Sequence, residues 1–218
     1  KFRTKTIRIS EVKELLLFLA SSTSSLVNPK KLANSFKSVR KVSLSEPTID
    51  KYINHFEEAF LIKKSLRFNV KGSAYLSTPY KIYFEDVGLR NARLNFRQIE
   101  ETHIMENIIY NELRYRGYQV DVGTVEFRET DGNGKDVRIQ REIDFIASLG
   151  SKKYYIQSAY AIPDKEKYEQ ETVSFDKITD SFKKIVIVEK SMKPRFDEKG
   201  YVTMGIKEFL LDRNSLDV

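Results

Sequence analysis

EIDFIASLGSKKYYIQSAY, residues 142–160, is the stretch whose reading decides the fold. It divides into two strand-like runs about Leu149-Gly150-Ser151, and a hairpin there would bring Asp144 and Gln157 toward one another. Outward from it, VRIQREIDFIASL (137–149) and YQVDVGTVEFRET (118–130) read as two strands joined by the turn DGNG (131–134). Upstream, IEETHIMENIIYNELRYR (99–116) reads as a long helix carrying Glu106. Ile104, Ile108, Ile109 and Leu113 share one face of it, Gly117 suits the residue past its end, and Arg114 and Arg116 suit its C-terminal dipole. Downstream, DKEKYEQETVSFDKITDS (164–181) reads as a helix starting at Pro163 or Asp164. KKIVIVEK (183–190) is a buried strand bounded by charge, and YVTMGIKEFLL (201–211) a short strand followed by a helical turn. Helix, three strands, helix, strand and a short terminal element make residues 91–218 an α/β segment with a mixed sheet.

Residues 1–90 read differently. EVKELLLFLASS (11–22) is helical by the spacing of Val12, Leu15, Leu16, Phe18 and Leu19, with Ser10 as its N-cap. PKKLANSFKS (29–38) starts at Pro29, a good first helical position. LSEPTIDKYINHFEEAFLI (44–62) gives a third helix capped by Ser45, with Ile49, Tyr52, Ile53, Phe56 and Phe60 as its apolar stripe. Two strand-like runs follow, LIKKSLRFN (61–69) and AYLSTPYKIYF (74–84), with Lys71-Gly72 between them. Three short helices and a hairpin are the order of a winged helix, with Pro79 marking an edge or irregularity in the second run. The expected fold is therefore α/β (α+β overall): a winged-helix-like module over 1–90, then a mixed sheet with flanking helices over 91–218.

Charge separates the two segments. Residues 1–100 hold 19 Lys and Arg against 9 Asp and Glu, and residues 101–218 hold 19 against 22, within a net charge of +7. A basic N-terminal half suits an anionic polymer, and DNA is the expected partner. The chain has no cysteine and only His55 and His103. This excludes disulfides, thiolate catalysis and Cys-ligated zinc, and fits a reducing cytoplasm. No apolar run reaches the roughly 18 residues of a membrane span, so no membrane partner is expected. The first residue is Lys1, which suggests a processed or excised chain.

The order helix-Glu106, strand-Asp144, strand-Gln157 resembles the PD-(D/E)XK nuclease pattern. In that pattern carboxylates hold a magnesium ion and a lysine two residues beyond the last of them assists the attacking water. Here Gln157 stands where a carboxylate is expected and Ala159 where the lysine is. Lys152 and Lys153 lie near the hairpin, and Lys165 or Lys167 are candidate replacements from the next helix. Read this way, Glu106, Asp144 and Gln157 form a degenerate site, with Glu106 and Asp144 as its metal ligands. The bland reading has Glu142 and Asp144 solvated or bonded within the sheet.

Taken with PKKLANSFKSVRKVSLSEPTIDKYINHFEEAFLIKKSLRFNVKGSAYLSTPYKIYFEDVGLRNA (29–92), IMENIIYNELRYRGYQVDVG (104–123) and FDKITDSFKKIVIV (175–188), these stretches resemble the domain of unknown function that follows the AAA ATPase module of many prokaryotic proteins. The resemblance implies a winged helix followed by a restriction-endonuclease-like domain, and an ATPase module upstream. There is no GxxxxGK[ST] here, so ATP belongs to that other module, and no catalytic activity is expected of these residues. Ser45, Thr48, Lys51 and His55 are the candidates for reading DNA from the third helix. Lys30, Lys31, Lys37, Arg40 and Lys41 are candidate phosphate contacts, and Lys63, Lys64, Arg67 and Lys71 would decorate the hairpin. Glu57 and Glu58 work against DNA at the end of that helix. The alternatives are a divalent-metal nuclease and a protein-interaction module.

Overall fold

The computed structural model describes residues 9–39, 44–130, 132 and 134–218. Among the described residues, four helices lie in the N-terminal part: α1 (Ile9–Ser21), α2 (Pro29–Val39), α3 (Glu46–Glu58) and α4 (Val87–Arg93). Between α1 and α2 runs the two-residue strand β1 (Leu26–Val27), and β2 (Ile62–Asn69) and β3 (Ala74–Phe84) form the hairpin. The rest follows as α5 (Glu101–Tyr115), β4 (Gln119–Thr130), β5 (Asp136–Leu149), β6 (Lys152–Ala159), α6 (Lys165–Asp176), β7 (Lys183–Val188), β8 (Arg195–Phe196), β9 (Val202–Gly205) and α7 (Ile206–Leu211). Among the described residues, nine strands make one mixed sheet in the order β1-β3-β2-β4-β5-β6-β7-β9-β8. The pairs β2–β4, β6–β7 and β7–β9 are parallel and the others antiparallel.

The hairpin is thus not a free wing. Arg67, Phe68 and Asn69 of β2 pair with Val122, Gly123 and Thr124 of β4, so strands from before and after residue 90 share one sheet. Pro79 sits where expected of a strand breaker. The β2–β3 register jumps from Ser65↔Lys81 to Arg67↔Leu76, so residues 77–80 bulge away from β2, and on the other edge of β3 Tyr80 and Lys81 pair with β1. Ser10 falls inside α1 instead of before it. Ser45 does stand at the N-cap of α3, but its hydroxyl bonds the Thr48 hydroxyl at 2.8 Å in place of a backbone N–H. The helix expected to reach residue 181 ends at Asp176, because Ile178 turns into the core beside Phe175.

The end of β3 is covered on both faces, and alternation assigns each side chain. Tyr80, Ile82 and Phe84 pack with Leu15, Leu19, Ile49, Ile53 and Phe56 of the N-terminal helices. Tyr83 faces the other way, into a core of Ile109, Tyr110, Leu113, Phe145 and Ile156. Lys81 shares that second face with Tyr83. A third core lies on the far side of the sheet, where Val125, Ile143, Ile146, Tyr155 and Val186 pack on Phe175 of α6. Asn107 of α5 ties the layers together. Its amide donates to Phe84 O and accepts from Phe84 N, both at 2.8 Å, where β1 has already ended and leaves that edge of β3 open.

Candidate functional site

A lysine in the middle of a buried strand must be paired or neutral. Lys81 is 3% exposed, and three carboxyl groups surround its Nζ: Glu142 Oε1 at 2.6 Å, Glu106 Oε1 at 2.9 Å and Asp144 Oδ1 at 3.2 Å. The Tyr83 hydroxyl also donates to Glu106 Oε1, at 2.7 Å. The lysine comes from β3, one glutamate from α5, and the other two carboxylates from β5, so the cluster joins the N-terminal hairpin to the second segment.

Glu142 and Asp144 stand two apart on β5 and reach one ammonium from the same strand face by alternation, and a bulge begins at Asp144. The β4–β5 register passes from Asp121↔Ile146 to Gly123↔Ile143, so Asp144 and Phe145 stand opposite the single residue Val122. Ile143 and Ile146 consequently point to the same side, toward α6, while Phe145 points toward α5. Such a bulge redirects side chains locally. It leaves no room at Gly123, where a Cβ would lie 2.9 Å from Ile143 Cβ and 3.1 Å from Ile146 Cγ1.

Asp144 is fixed from two directions. Its Oδ2 accepts from Ser158 N at 2.9 Å, and its own N–H donates to Gln157 Oε1 at 3.4 Å. The β5–β6 ladder ends at Phe145↔Ile156, and these two bonds continue it with side chains where the strands separate. Gln157 thereby serves as a clamp on the Asp144 backbone. Its neighbours in alternation, Tyr155 and Ala159, lie in the α6-side core, opposite the face of Glu106 and Lys81.

Burial and charge act in opposition within the cluster. Burial pushes the Lys81 ammonium down, but Asp144, Glu106 and Glu142 together outweigh it and the net direction is up. Burial, and then the Asp144 charge, push Glu106 up to about 8 against the pull of Lys81 and Tyr83. Glu106 therefore keeps its proton to higher pH than an exposed glutamate does.

Of the predicted site residues, Glu106 and Asp144 converge, Glu142 joins them, and Gln157 supports Asp144 from behind. Sequence reading missed Lys81 and Tyr83. The signal was a lysine within PYKIYF, flanked by apolar side chains on both strand faces. The other candidate lysines are engaged elsewhere: Lys152 with Asp217, Lys165 with Glu169, Lys167 with Glu171, and Lys153 over the Phe182 ring. All the donors of the cluster are oxygens, which suits a hard cation in kind. As arranged they do not fit magnesium. The ammonium occupies the centre, and among the described residues no group of three or more His, Asp or Glu side chains is set to hold a metal ion.

The predicted DNA contacts divide into free and engaged. Lys30, Lys31 and Lys37 on α2, Lys51 on α3 and Lys71 at the hairpin tip are exposed, and Lys63 is half-buried. No ion pair joins any of these six to another described residue. Lys64 pairs with Glu57 at 3.0 Å and donates to Asn54, while Arg67 donates to the carbonyls of Pro79 and Thr78. His55 pairs with Glu58, and Ser45 with Thr48. Arg40 and Lys41 lie outside the described residues.

The fold and this cluster define a mixed α+β chain with a nine-stranded sheet and a buried lysine–carboxylate joint. Residues 3–100 match the model of a domain of unknown function, DUF8612. An uncharacterized protein of Haemophilus influenzae is 36% identical over 179 residues, which is 82% of this chain and 40% of that relative. The chain thus spans about two fifths of the relative's length. A crystal structure of protein VC1899 from Vibrio cholerae aligns over 92% of this chain and 54% of that one, at 12% identity and a TM-score of 0.30, too low to carry an argument. No helix among the described residues is long and apolar enough to cross a membrane.

Proposed function

We propose that this chain is a non-catalytic, DNA-binding region that works beside an ATP-hydrolysing module of the AAA type, with the winged-helix-like segment as its contact surface and a restriction-endonuclease-like scaffold behind it. The observation that supports this most is the row of uncommitted lysines on α2. Lys30, Asn34 and Lys37 fall on one exposed helix face with Lys31 beside them, while Leu32 and Phe36 of the same helix are buried. Lys51, Lys63 and Lys71 add charge from α3 and the hairpin. Such contacts act through phosphates and position the protein without reading sequence. Base reading by α3 is the weaker part, because Ser45, Thr48 and His55 already have partners. The ATPase association rests on the resemblance of the sequence alone.

Fluorescence anisotropy with a labelled duplex at two salt concentrations tests the DNA contact. Replacing Lys30, Lys31 and Lys37 together with Ala should lower the salt slope by about 2–3, since each phosphate contact contributes roughly 0.9. Undetectable binding by the wild type at low salt sinks the reading. For the ATPase association, the hydrolysis rate of the longer protein should change with DNA and lose that response when this region is deleted.

The convergence of Glu106, Glu142 and Asp144 favours one second reading, a metal-dependent nuclease. Access would require Lys81 to leave the centre of the cluster. Plasmid cleavage with magnesium or manganese, compared with Asp144→Ala, tests it, and equal activity of the two proteins excludes it.

A further inference from the structure

Three carboxyl groups about one buried ammonium are more than a structural ion pair needs. Each carboxyl group costs free energy to bury; one would balance the charge of Lys81, and neutral acceptors such as carbonyls could take its remaining N–H groups. The donors are all oxygens, converging from a helix and a bulged strand that belong to one segment, whereas the cation arrives from another. Glu106 is 25 residues from Lys81 in sequence and Asp144 is 63. A second observation points to the same place. Ser158, whose N–H holds Asp144 Oδ2, has a buried hydroxyl oxygen with no hydrogen-bond partner among the described residues, and the residue is 9% exposed. It follows Tyr154 and Ile156 on the α5-side face of β6, the face of Glu106 and Lys81. Buried hydroxyls without partners are uncommon, and a hydrated cation admitted in place of the ammonium would satisfy this one.

We propose that the Lys81 ammonium is a built-in counter-cation, occupying the position that a hard divalent cation would otherwise take among Glu106, Glu142 and Asp144. The N-terminal hairpin plugs an oxygen-donor site formed by the second segment. Being part of the chain, the ammonium competes at high effective concentration, and magnesium gives up its waters reluctantly. The wild-type cluster is therefore closed to metal, and the vacancy opens when the ammonium is removed.

Manganese binding, followed by electron paramagnetic resonance, and thermal melting with and without manganese test this on the whole chain. The proteins compared are the wild type, Lys81→Ala and Lys81→Ala/Asp144→Asn. The wild type should bind no manganese at the cluster. Lys81→Ala should bind one ion per chain and gain about 5–10 °C in melting temperature at a hundredfold excess over the dissociation constant. Adding Asp144→Asn should weaken that binding by at least about tenfold, roughly one charge-assisted interaction. If Lys81→Ala does not fold alone, folding driven by manganese but not by sodium chloride of equal ionic strength supports the proposal, and failure to fold with either overturns it. It is also overturned by a folded Lys81→Ala that binds no ion, by binding indifferent to Asp144, or by a wild type that takes up manganese as tightly as the variant.

Discussion

Two buried cations in this chain are satisfied in opposite ways. Arg90 of α4, 1% exposed, donates mainly to neutral groups: Ala20 O, Gln98 O and the Asn91 side chain, with Glu100 as its one carboxylate partner. Those acceptors lie at the end of α1, on α4 itself and in the loop after it, so the guanidinium locks a helix packing. Lys81 is met by three carboxyl groups and, among the described residues, by no backbone carbonyl. Arg116 resembles Arg90, donating to Phe209 O, Arg213 O, the Ser215 hydroxyl and Glu112. Charge matching distinguishes the roles. A clamp draws on carbonyl dipoles that are present anyway, whereas a cluster with surplus carboxylates is held together only while its cation stays.

That difference predicts contrasting second-site behaviour. Lys81→Ala should cost roughly 3–5 kcal/mol in urea denaturation, because it strands buried carboxylates. Glu142→Gln should restore part of that loss by removing one surplus charge. Arg90→Ala should also be costly, but Glu100→Gln should restore none of it, because the orphaned carbonyls remain. Equal rescue in both pairs would erase the distinction.

Asn107 and Gly123 hold the two halves of the cluster in register, and their replacement should have smaller effects. Asn107→Ala deprives Phe84 N–H of its partner and leaves the Thr23 hydroxyl only a long bond to Ile82 O, while Phe84 C=O keeps Asn111. A loss of about 2–3 kcal/mol is expected from such buried unsatisfied groups. Gly123→Ala forces a methyl against Ile143 at the β5 bulge. Overpacking of this kind costs about 1–3 kcal/mol, and it should disturb the Glu142 and Asp144 side chains, which carbon-13 chemical shifts of their carboxyl groups would report. Arg90 contacts should not change in that variant.

The sequence was most legible where periodicity and a boundary residue agree. Helices α2, α3 and α5 and strands β4 to β7 follow from apolar spacing, and Asp164 caps α6 as read, accepting from Lys167 N at 2.8 Å. Two-residue strands such as β1 and β8 carry no period and were invisible. The parallel pairing of β2 with β4 was invisible too, because local pattern says nothing about which distant strand lies alongside. At the site, Glu106 and Asp144 were readable as a helix–strand pair. Lys81 was not, because a lysine in a strand beside a proline reads as edge protection, and only the burial of both β3 faces makes it anomalous. The face taken by Gln157 follows from alternation with Tyr155 and Ala159, but its bond to Asp144 N depends on where the two strands part.

The smallest expected effect is on pH dependence, and it separates the two cations without removing either. Glu106 faces Lys81 and Tyr83 from β3 and Glu142 and Asp144 from β5, and burial followed by the Asp144 charge raises it to about 8 from 4.5. Between those values the folded chain binds a proton that the unfolded chain has released. Stability therefore falls as pH rises through about 4.5 to 8. Lys81 is raised as well, so its contribution is constant across this window and is lost only at higher pH. Asp121, raised mainly by burial, adds a slope of the same sign. Arg90 stays charged throughout and adds none. Glu106→Gln should consequently flatten, but not abolish, the decline of melting temperature between pH 5 and pH 8, and Arg90→Lys should leave its slope unchanged. A slope identical in wild type and Glu106→Gln would show that the carboxyl group is ionised in the folded cluster, and would bring the charge balance around Lys81 closer to that of three full carboxylates.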